Sequence, residues 1–408
     1  VYAQDANKGI IFGTGADIDS GSRITINKNN SAVNRDVHLD KSYKTNIGVD
    51  FQVLNKRLAV SAEYYNEKNR EMLMNIKQSV PSTVGTQSAA VNLGEMNSWG
   101  WELSVNWRDK IGKDFKYRIG LNTGYRDNEV LVMDWVTGNS LYRQITKGHR
   151  TDMGLWGMQC IGMFRSFQDI NEYFDMYMKK EDGSYGTYMG MTKEQVRPGM
   201  LIYKDVRGAL QENGTYAGPD HNVDEELDQV QLSNRTNPYG FTINAGAEWK
   251  GISLTAQFGA SWGGYTVVPS AALKPNGSLE YCNMPSFWNP DNMFVYQDIY
   301  DGSGNLLMEA NRDAQYPNLA YSNVNAVTSS FWRVSAARVA LNRLTLAYTI
   351  PSSLYKKFGI NNIRVNVTGQ NVLNFYNPYP DKFMNPMAGT YGSYPNLRKW
   401  TVGVNLSF

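Results

Sequence analysis

The sequence predicts an all-β fold, the wall of an antiparallel transmembrane β-barrel, and three observations carry that prediction. Apolar and polar residues alternate with period two in segment after segment, aromatic residues stand at the ends of the apolar stripes, and short turns alternate with very long connections. Composition agrees. Aromatics make up 12% of the 408 residues and charged residues 19%, yet mean hydropathy stays at −0.46. Alternating apolar and polar positions cancel in such an average, as they do in barrel strands. No window approaches the ~18 consecutive apolar residues of a membrane helix, so helical spans are not expected.

The strands follow in order. From Lys41 to Leu54, Tyr43, Thr45, Ile47, Val49, Phe51 and Val53 share one parity. The short turn Asn55-Lys56-Arg57 leads to Leu58, Val60, Ala62 and Tyr64, which completes a hairpin. Between Asn92 and Trp107, Leu93, Trp99, Trp101, Leu103, Val105 and Trp107 oppose Ser98, Glu102, Ser104 and Asn106. Phe115, Tyr117, Ile119, Leu121 and Tyr125 then oppose Lys116, Arg118, Asn122 and Arg126. A third hairpin sets Phe241, Ile243, Ala245, Ala247 and Trp249 beside Ile252, Leu254, Ala256, Phe258 and Trp262 across Lys250-Gly251. Near the end, Leu344, Leu346, Tyr348 and Ile350, then Ile363, Val365 and Val367, and finally Trp400, Val402, Val404, Leu406 and Phe408 repeat the pattern. A soluble antiparallel sandwich also alternates. Three Trp on one exposed stripe and strands longer than the usual 5 to 6 residues favour lipid.

Turns at 55–57, 110–114, 250–251 and about 352–360 are short, whereas connections at 76–90, 133–237, 267–330 and about 376–396 are long. Short turns belong to the periplasmic side of such barrels and long loops to the outside. About nine strands are visible, or eleven if the connection from 133 to 237 hides a pair near Met158 to Phe167. The expected organisation is an external loop region over 1–40, barrel strands over 41–133, a long external loop over 134–236 and a barrel hairpin over 237–267. A second loop over 268–329 and terminal strands over 330–408 complete it.

Several function classes find no support. With 40 Lys+Arg against 38 Asp+Glu and no basic block, a nucleic-acid partner is not expected. Cys160 and Cys282 have no CxxC partner, so a zinc site is not expected; a single bridge between them stays open. No GxSxG, HExxH or Walker loop occurs, and Gly13-Thr14-Gly15 is not followed by a suitable helix. An enzyme is not expected, although a barrel hydrolase could carry its groups on loops without a motif.

Asn46-Ile47-Gly48-Val49-Asp50, Ala62-Glu63-Tyr64-Tyr65-Asn66, Asn92-Leu93-Gly94-Glu95-Met96, Gly100-Trp101-Glu102-Leu103-Ser104 and the terminal Gly403-Val404-Asn405-Leu406-Ser407-Phe408 resemble the C-terminal barrel of SusC-type TonB-dependent transporters of Bacteroidetes. Leu344 to Pro351, followed by Gly369-Gln370-Asn371-Val372-Leu373, is similar to that family's near-terminal strands. The resemblance covers about residues 41–133, 198–265 and 330–408. It implies the last nine strands of a plugged 22-stranded outer-membrane barrel, with Lys41–Leu54 as the fourteenth strand. The chain is then expected to be a C-terminal piece, its plug, TonB box and signal peptide lying elsewhere. The implied function is TonB-dependent import of a large hydrophilic nutrient, an oligosaccharide or oligopeptide, under a SusD-like lipoprotein lid. TonB engages the missing N-terminal region, outer-membrane lipid surrounds the wall, and the resemblance admits a dimer of transporter–lipoprotein pairs. The alternative is a lidless receptor for a siderophore-like ligand.

Two sets of residues stand out as candidates. Thr401, Gly403, Leu406 and Phe408 resemble the C-terminal insertion signal of outer-membrane proteins, against the plainer reading of an ordinary last strand. Trp156, Trp262, Tyr265, Phe287 and Trp288 lie in or beside long loops, where aromatics form platforms for sugars or peptide side chains, or else girdle and packing residues. No cofactor is expected. Tyr203-Lys204-Asp205-Val206 resembles a family stretch that continues into a calcium-suited loop, but here it departs into Arg207-Gly208-Ala209-Leu210. Asp220, Asn222 and Asp224 have EF-hand spacing, yet the Gly at position 6 and the bidentate Glu are missing. A solvated acidic loop is preferred to a calcium site there.

Overall fold

Nine strands hydrogen-bond in strict sequence order into one antiparallel sheet in the computed structural model, which describes residues 10–11, 23–24, 34–75, 89–134, 141–274, 284–386, 391–392, 394 and 396–408. They are β1 (Lys41–Val53), β2 (Leu58–Asn75), β3 (Ala90–Ile111), β4 (Phe115–Val132), β5 (Tyr239–Trp249), β6 (Ile252–Trp262), β7 (Arg338–Thr349), β8 (Asn362–Tyr376) and β9 (Lys399–Ser407). None contains proline, which cannot donate to a ladder; Pro238 and Pro351 stand just outside β5 and β7. At 18, 22 and 18 residues, β2, β3 and β4 exceed the ~9–11 that a tilted strand needs to cross a bilayer. Lys250 and Gly251 both take positive φ, as a two-residue hairpin turn with the right twist demands.

The register converts alternation into two faces. Phe115, Trp249, Ile252, Tyr348, Val365 and Val404 stand opposite one another from strand to strand across β4 to β9. The row two residues further along is Tyr117, Ala247, Leu254, Leu346, Val367 and Val402. Between these apolar rows lies Lys116, Glu248, Ser253, Ala347, Asn366 and Gly403, on the other side of the sheet. Asn342 is left over in the pairing of β6 with β7, because Gln257 faces Arg343 while Phe258 faces Leu341. This bulge resets the parity of β7 so that Val339 and Leu341 return to the apolar face.

The chain divides into two compact units, residues 1–47, 64–101 and 126–151, and residues 48–63, 102–125 and 152–408. In the first, Lys41 pairs with Glu71 at 2.6 Å and Arg70 with Glu95 at 3.3 Å. In the second, residues beyond the wall strands build a core of their own from Met158, Phe164, Phe174, Tyr188, Tyr203 and Val324. Buried tyrosines must find acceptors. The Tyr188 hydroxyl donates to Leu201 O at 2.6 Å, Tyr173 to Tyr203 O at 2.6 Å and Tyr203 to Val324 O at 2.9 Å. Asn325 joins the same segments, donating to Gly199 O and Asn318 O while accepting from Leu201 N at 2.8 Å. Gly186 permits residues 186–189 to run against 221–223, since a Cβ there would fall 1.6 Å from His221 O.

Strands do occur near Met158 to Phe167, but they do not extend the wall. Leu155–Met158 pairs with Gln229–Ser233, and Cys160–Met163 pairs with Leu201–Tyr203, each as a separate two-stranded sheet. Nine is therefore the number of wall strands among the described residues. Cys282 and residues 13–15 lie outside the described residues, and the 160 to 282 bridge with them.

Candidate functional site: a two-faced wall under a folded loop platform

The polar face of the wall is hydrogen-bonded across strands without being sealed. Arg364 donates to Ser253 Oγ at 2.8 Å, Gln257 to Asn244 Oδ1 at 3.2 Å, and the Thr345 and Thr368 hydroxyls meet at 3.0 Å. Gly246 leaves room for the guanidinium of Arg118, whose Nε lies 2.7 Å from where a Cβ would sit. Two recesses open along this face. One, of about 530 Å³, is lined by Glu63, Glu102, Asn122, Tyr239, Arg338 and Asn342 among others. The second, of about 670 Å³, has Gln52, Asn106, Arg108, Arg118, Gln257 and Arg343 on its walls. Such a surface binds water, hydroxyls and amides, whereas the opposite rows of Leu, Val, Ile and aromatic side chains offer nothing to water and suit hydrocarbon.

The aromatic candidates separate by burial. Phe287 is 1% exposed and packs against Tyr316, Trp332 and Phe383, so it serves a second loop core and presents no ring face to a ligand. Trp288 is half-buried beside it, its indole N–H donating to Ala272 O at 2.8 Å. Trp156 is also half-buried, with its N–H on Met153 O at 3.0 Å. Trp262 and Tyr265 remain 45% and 37% exposed. Trp262 ends β6 beside Phe241 at 5.4 Å, and Arg333 lies 4.9 Å above the Tyr265 ring. The structure thus brings Phe287 and Trp288 together, and Trp262 near Tyr265 at the loop end of β6, but gathers no five-membered platform.

In β9, Leu406 lies opposite Ile363 in the apolar set, while Thr401 and Gly403 fall on the polar side opposite Thr368 and Asn366. Phe408 follows the strand and is exposed.

Sequence reading missed the buried carboxylates of the loop platform. Asp228, fully buried, accepts from Val206 N at 2.7 Å, Arg207 N at 3.1 Å and Asp224 N at 2.9 Å. Asp205 accepts from His221 N at 2.7 Å. Burial pushes the Asp205 carboxyl up to about 6, with Asp228 and Asp220 adding to the rise, and pushes Asp228 up as well. These two carboxylates lie outside the acidic stretch Asp220 to Glu225 and clamp its backbone, Asp205 at Asp220 and His221 and Asp228 at Asp224. Among the described residues no group of three or more His, Cys, Asp or Glu has the arrangement to hold a metal ion. The spacing of Asp220, Asn222 and Asp224 was visible in the sequence; the clamp that Asp205 and Asp228 place on their backbone was not.

A nine-stranded antiparallel sheet with one hydrocarbon face, one polar face and loops folded into a platform defines a segment of a large transmembrane barrel. The known proteins it is similar to are TonB-dependent receptors. No family model matches the chain. It is 24% identical over 395 residues to TonB-dependent receptor P3 of Formosa agariphila, covering 92% of this chain and 35% of that receptor. It is 26% identical over 124 residues to TonB-dependent receptor SusC of Bacteroides thetaiotaomicron, covering 29% of this chain and 12% of SusC. The solved RagAB peptide importer in its closed-closed state superposes with a TM-score of 0.63 at 19% identity, over 98% of this chain and 38% of that one. The RagAB peptide transporter gives 0.62 at 18% identity with the same coverage. The match is to the C-terminal portion, and the chain spans about a third of the length of the first curated relatives. The fold is that of the RagAB barrel wall, the barrel fold that the SusC-type resemblance implied.

Proposed function

We propose that these residues form the wall and external loops of an outer-membrane importer. Through it a large hydrophilic nutrient, an oligosaccharide or oligopeptide, enters under TonB-driven movement of a plug, with a SusD-like surface lipoprotein closing the mouth. The observation that carries the reading is the two-faced wall: hydrocarbon rows on one side and, on the other, recesses lined by amides, hydroxyls and guanidinium groups. The edge strands β1 and β9 leave backbone N–H and C=O groups that cost several kcal/mol each if unpaired in lipid, so further strands must close the barrel. Tyr265, just beyond β6, is the member of the aromatic set with exposed ring surface left for a passing solute, since Trp262 continues the apolar row of that strand. The hairpin Ile299–Tyr300 with Leu306–Met308 exposes Tyr300 and Leu307 and suits an aromatic-anchored lipoprotein contact.

The test is growth of a deletion strain on single glycans and single peptides, with complementation by the full-length gene. Loss of growth on one nutrient class, restored by the gene, names the cargo. Unchanged growth on all of them refutes import. If no lipoprotein accompanies the transporter purified in mild detergent, the lid is removed from the reading and a receptor for a siderophore-like ligand takes its place.

A further inference from the structure

The short-turn rim of the wall combines two features that water alone does not favour. Its turns carry apolar tips, with Ile111 65%, Leu354 68% and Phe358 77% exposed. Between them stand Lys56, Lys110, Lys113, Lys356 and Lys357, all exposed. None of these five has a carboxylate within 4.0 Å among the described residues. The neighbouring acids are engaged elsewhere, Asp109 by Arg57 at 3.0 Å and Asp114 by Lys250 at 4.0 Å.

Aromatic rings just inside the rim hold the flanking cations in place. The Arg57 guanidinium lies 5.7 Å from the Trp107 ring and the Lys250 ammonium 5.4 Å from Trp249. Trp107 donates its N–H to the Tyr117 hydroxyl at 3.3 Å. Leu354, Lys356, Lys357 and Phe358 lie on two consecutive 3-10 turns over Ser352–Leu354 and Lys356–Phe358, anchored by the buried Tyr355. Apolar tips interleaved with unpaired ammonium groups, above an aromatic belt, match the chemistry of an anionic headgroup layer: phosphates for the lysines and glycerol-level hydrocarbon for Leu354 and Phe358.

We propose that this rim is a docking surface for anionic phospholipid, of the phosphatidylglycerol class, in the periplasm-facing leaflet. The inference rests on the outer-membrane barrel reading and adds a lipid preference to it. Lys356 and Lys357 with Lys56 and Lys110 meet the phosphates, and Leu354 and Phe358 enter the layer beneath. Docking there fixes the height of the short turns relative to the membrane, and with it the depth at which the polar recesses open.

The experiment uses the full-length transporter in mild detergent, titrated with phosphatidylglycerol, phosphatidylethanolamine or lipid A and read by native mass spectrometry. Wild-type protein should retain phosphatidylglycerol over phosphatidylethanolamine by at least about fivefold, the effect of a single basic residue near an anionic surface. Lys356→Gln with Lys357→Gln, and Lys56→Gln with Lys110→Gln, should each lower that ratio about fivefold or more. Lys179→Gln with Lys180→Gln, away from the wall strands, should leave it unchanged. Leu354→Ser with Phe358→Ser should weaken retention of both phospholipids. Equal retention of the two phospholipids by wild-type protein, a ratio unmoved by the rim variants, or a preference for lipid A each overturns the proposal. Heat-modifiable migration of each variant on a gel shows that its barrel has assembled. Failure of the full-length protein to fractionate with outer membranes sinks the barrel reading itself, whereas correct fractionation without lipid preference sinks only this inference.

Discussion

Leu346→Arg separates the lipid face from the lumen face in a single measurement. Leu346 is half exposed, between Leu254 and Val367 in an unbroken apolar row. Ile350, at the short-turn end, lies four positions further along the chain. At ~3.4 Å per residue and a tilt of ~40°, each residue gains ~2.6 Å of height, placing Leu346 ~10 Å above the rim of an apolar band ~25 Å tall. That is close to the midplane, where an arginine costs ~2–4 kcal/mol. Tyr348→Arg, nearer the interface, should cost ~0–1 kcal/mol, and Thr242→Arg on the polar face no more than that. The assay is equilibrium denaturant unfolding of the full-length protein in lipid vesicles, followed by tryptophan fluorescence. Equal costs for Leu346→Arg and Thr242→Arg, or a larger cost for Thr242→Arg, would refute the assignment of the two faces.

Four further outcomes follow from the loops and the last strand. The raised Asp205 carboxyl, at about 6 against an ordinary 3.8, means that the folded loop binds this proton more tightly than the unfolded chain does. The contribution of Asp205 to loop stability should be fully present at low pH and fade as pH rises from 3.8 through about 6, by at most on the order of 3 kcal/mol. Asp205→Asn should flatten that window, and hydrogen exchange of residues 186–232 between pH 4 and 7 measures it; a flat wild-type profile contradicts the reading. Trp332→Ala removes a buried ring whose N–H reaches Asn325 O at 2.6 Å, and should cost the platform ~3–5 kcal/mol. Protease cuts confined to the loops, with the wall intact, are the expected pattern. Tyr300→Ser with Leu307→Ser should reduce lipoprotein co-purification if the exposed hairpin is the contact, and unchanged recovery excludes it. Deleting 270–325 would be a poorer probe, since it strips Phe287, Phe294 and Val324 from the cores. Phe408→Gly should slow barrel assembly without altering a barrel already assembled, read as the folded fraction over time.

Period-two alternation determined the wall by itself. Cβ atoms of a strand point alternately to opposite faces, so a half-apolar stripe such as Trp99, Trp101, Leu103, Val105 and Trp107 is written directly into the order of residues. The short hairpins were legible for the same reason, because Lys250-Gly251 closes a turn locally and leaves only one pairing of β5 with β6. Register across distant strands was not. The extra residue Asn342 shifts the parity within β7, and only pairing with Phe258 and Gln257, some eighty residues earlier, shows that Leu341 and Leu344 share a face. The loops were the least legible. Their core joins Tyr188, Tyr203 and Val324 through hydroxyl-to-carbonyl bonds that span up to 121 positions, and no periodicity marks such contacts. Phe287 looked like a platform because composition cannot tell an exposed ring from a buried one, and burial depends on which distant segments arrive to cover it. What the residue order decides is which side of a strand meets lipid; how far-apart loop segments pack against one another is decided by contacts between residues distant in the chain, which no local pattern encodes.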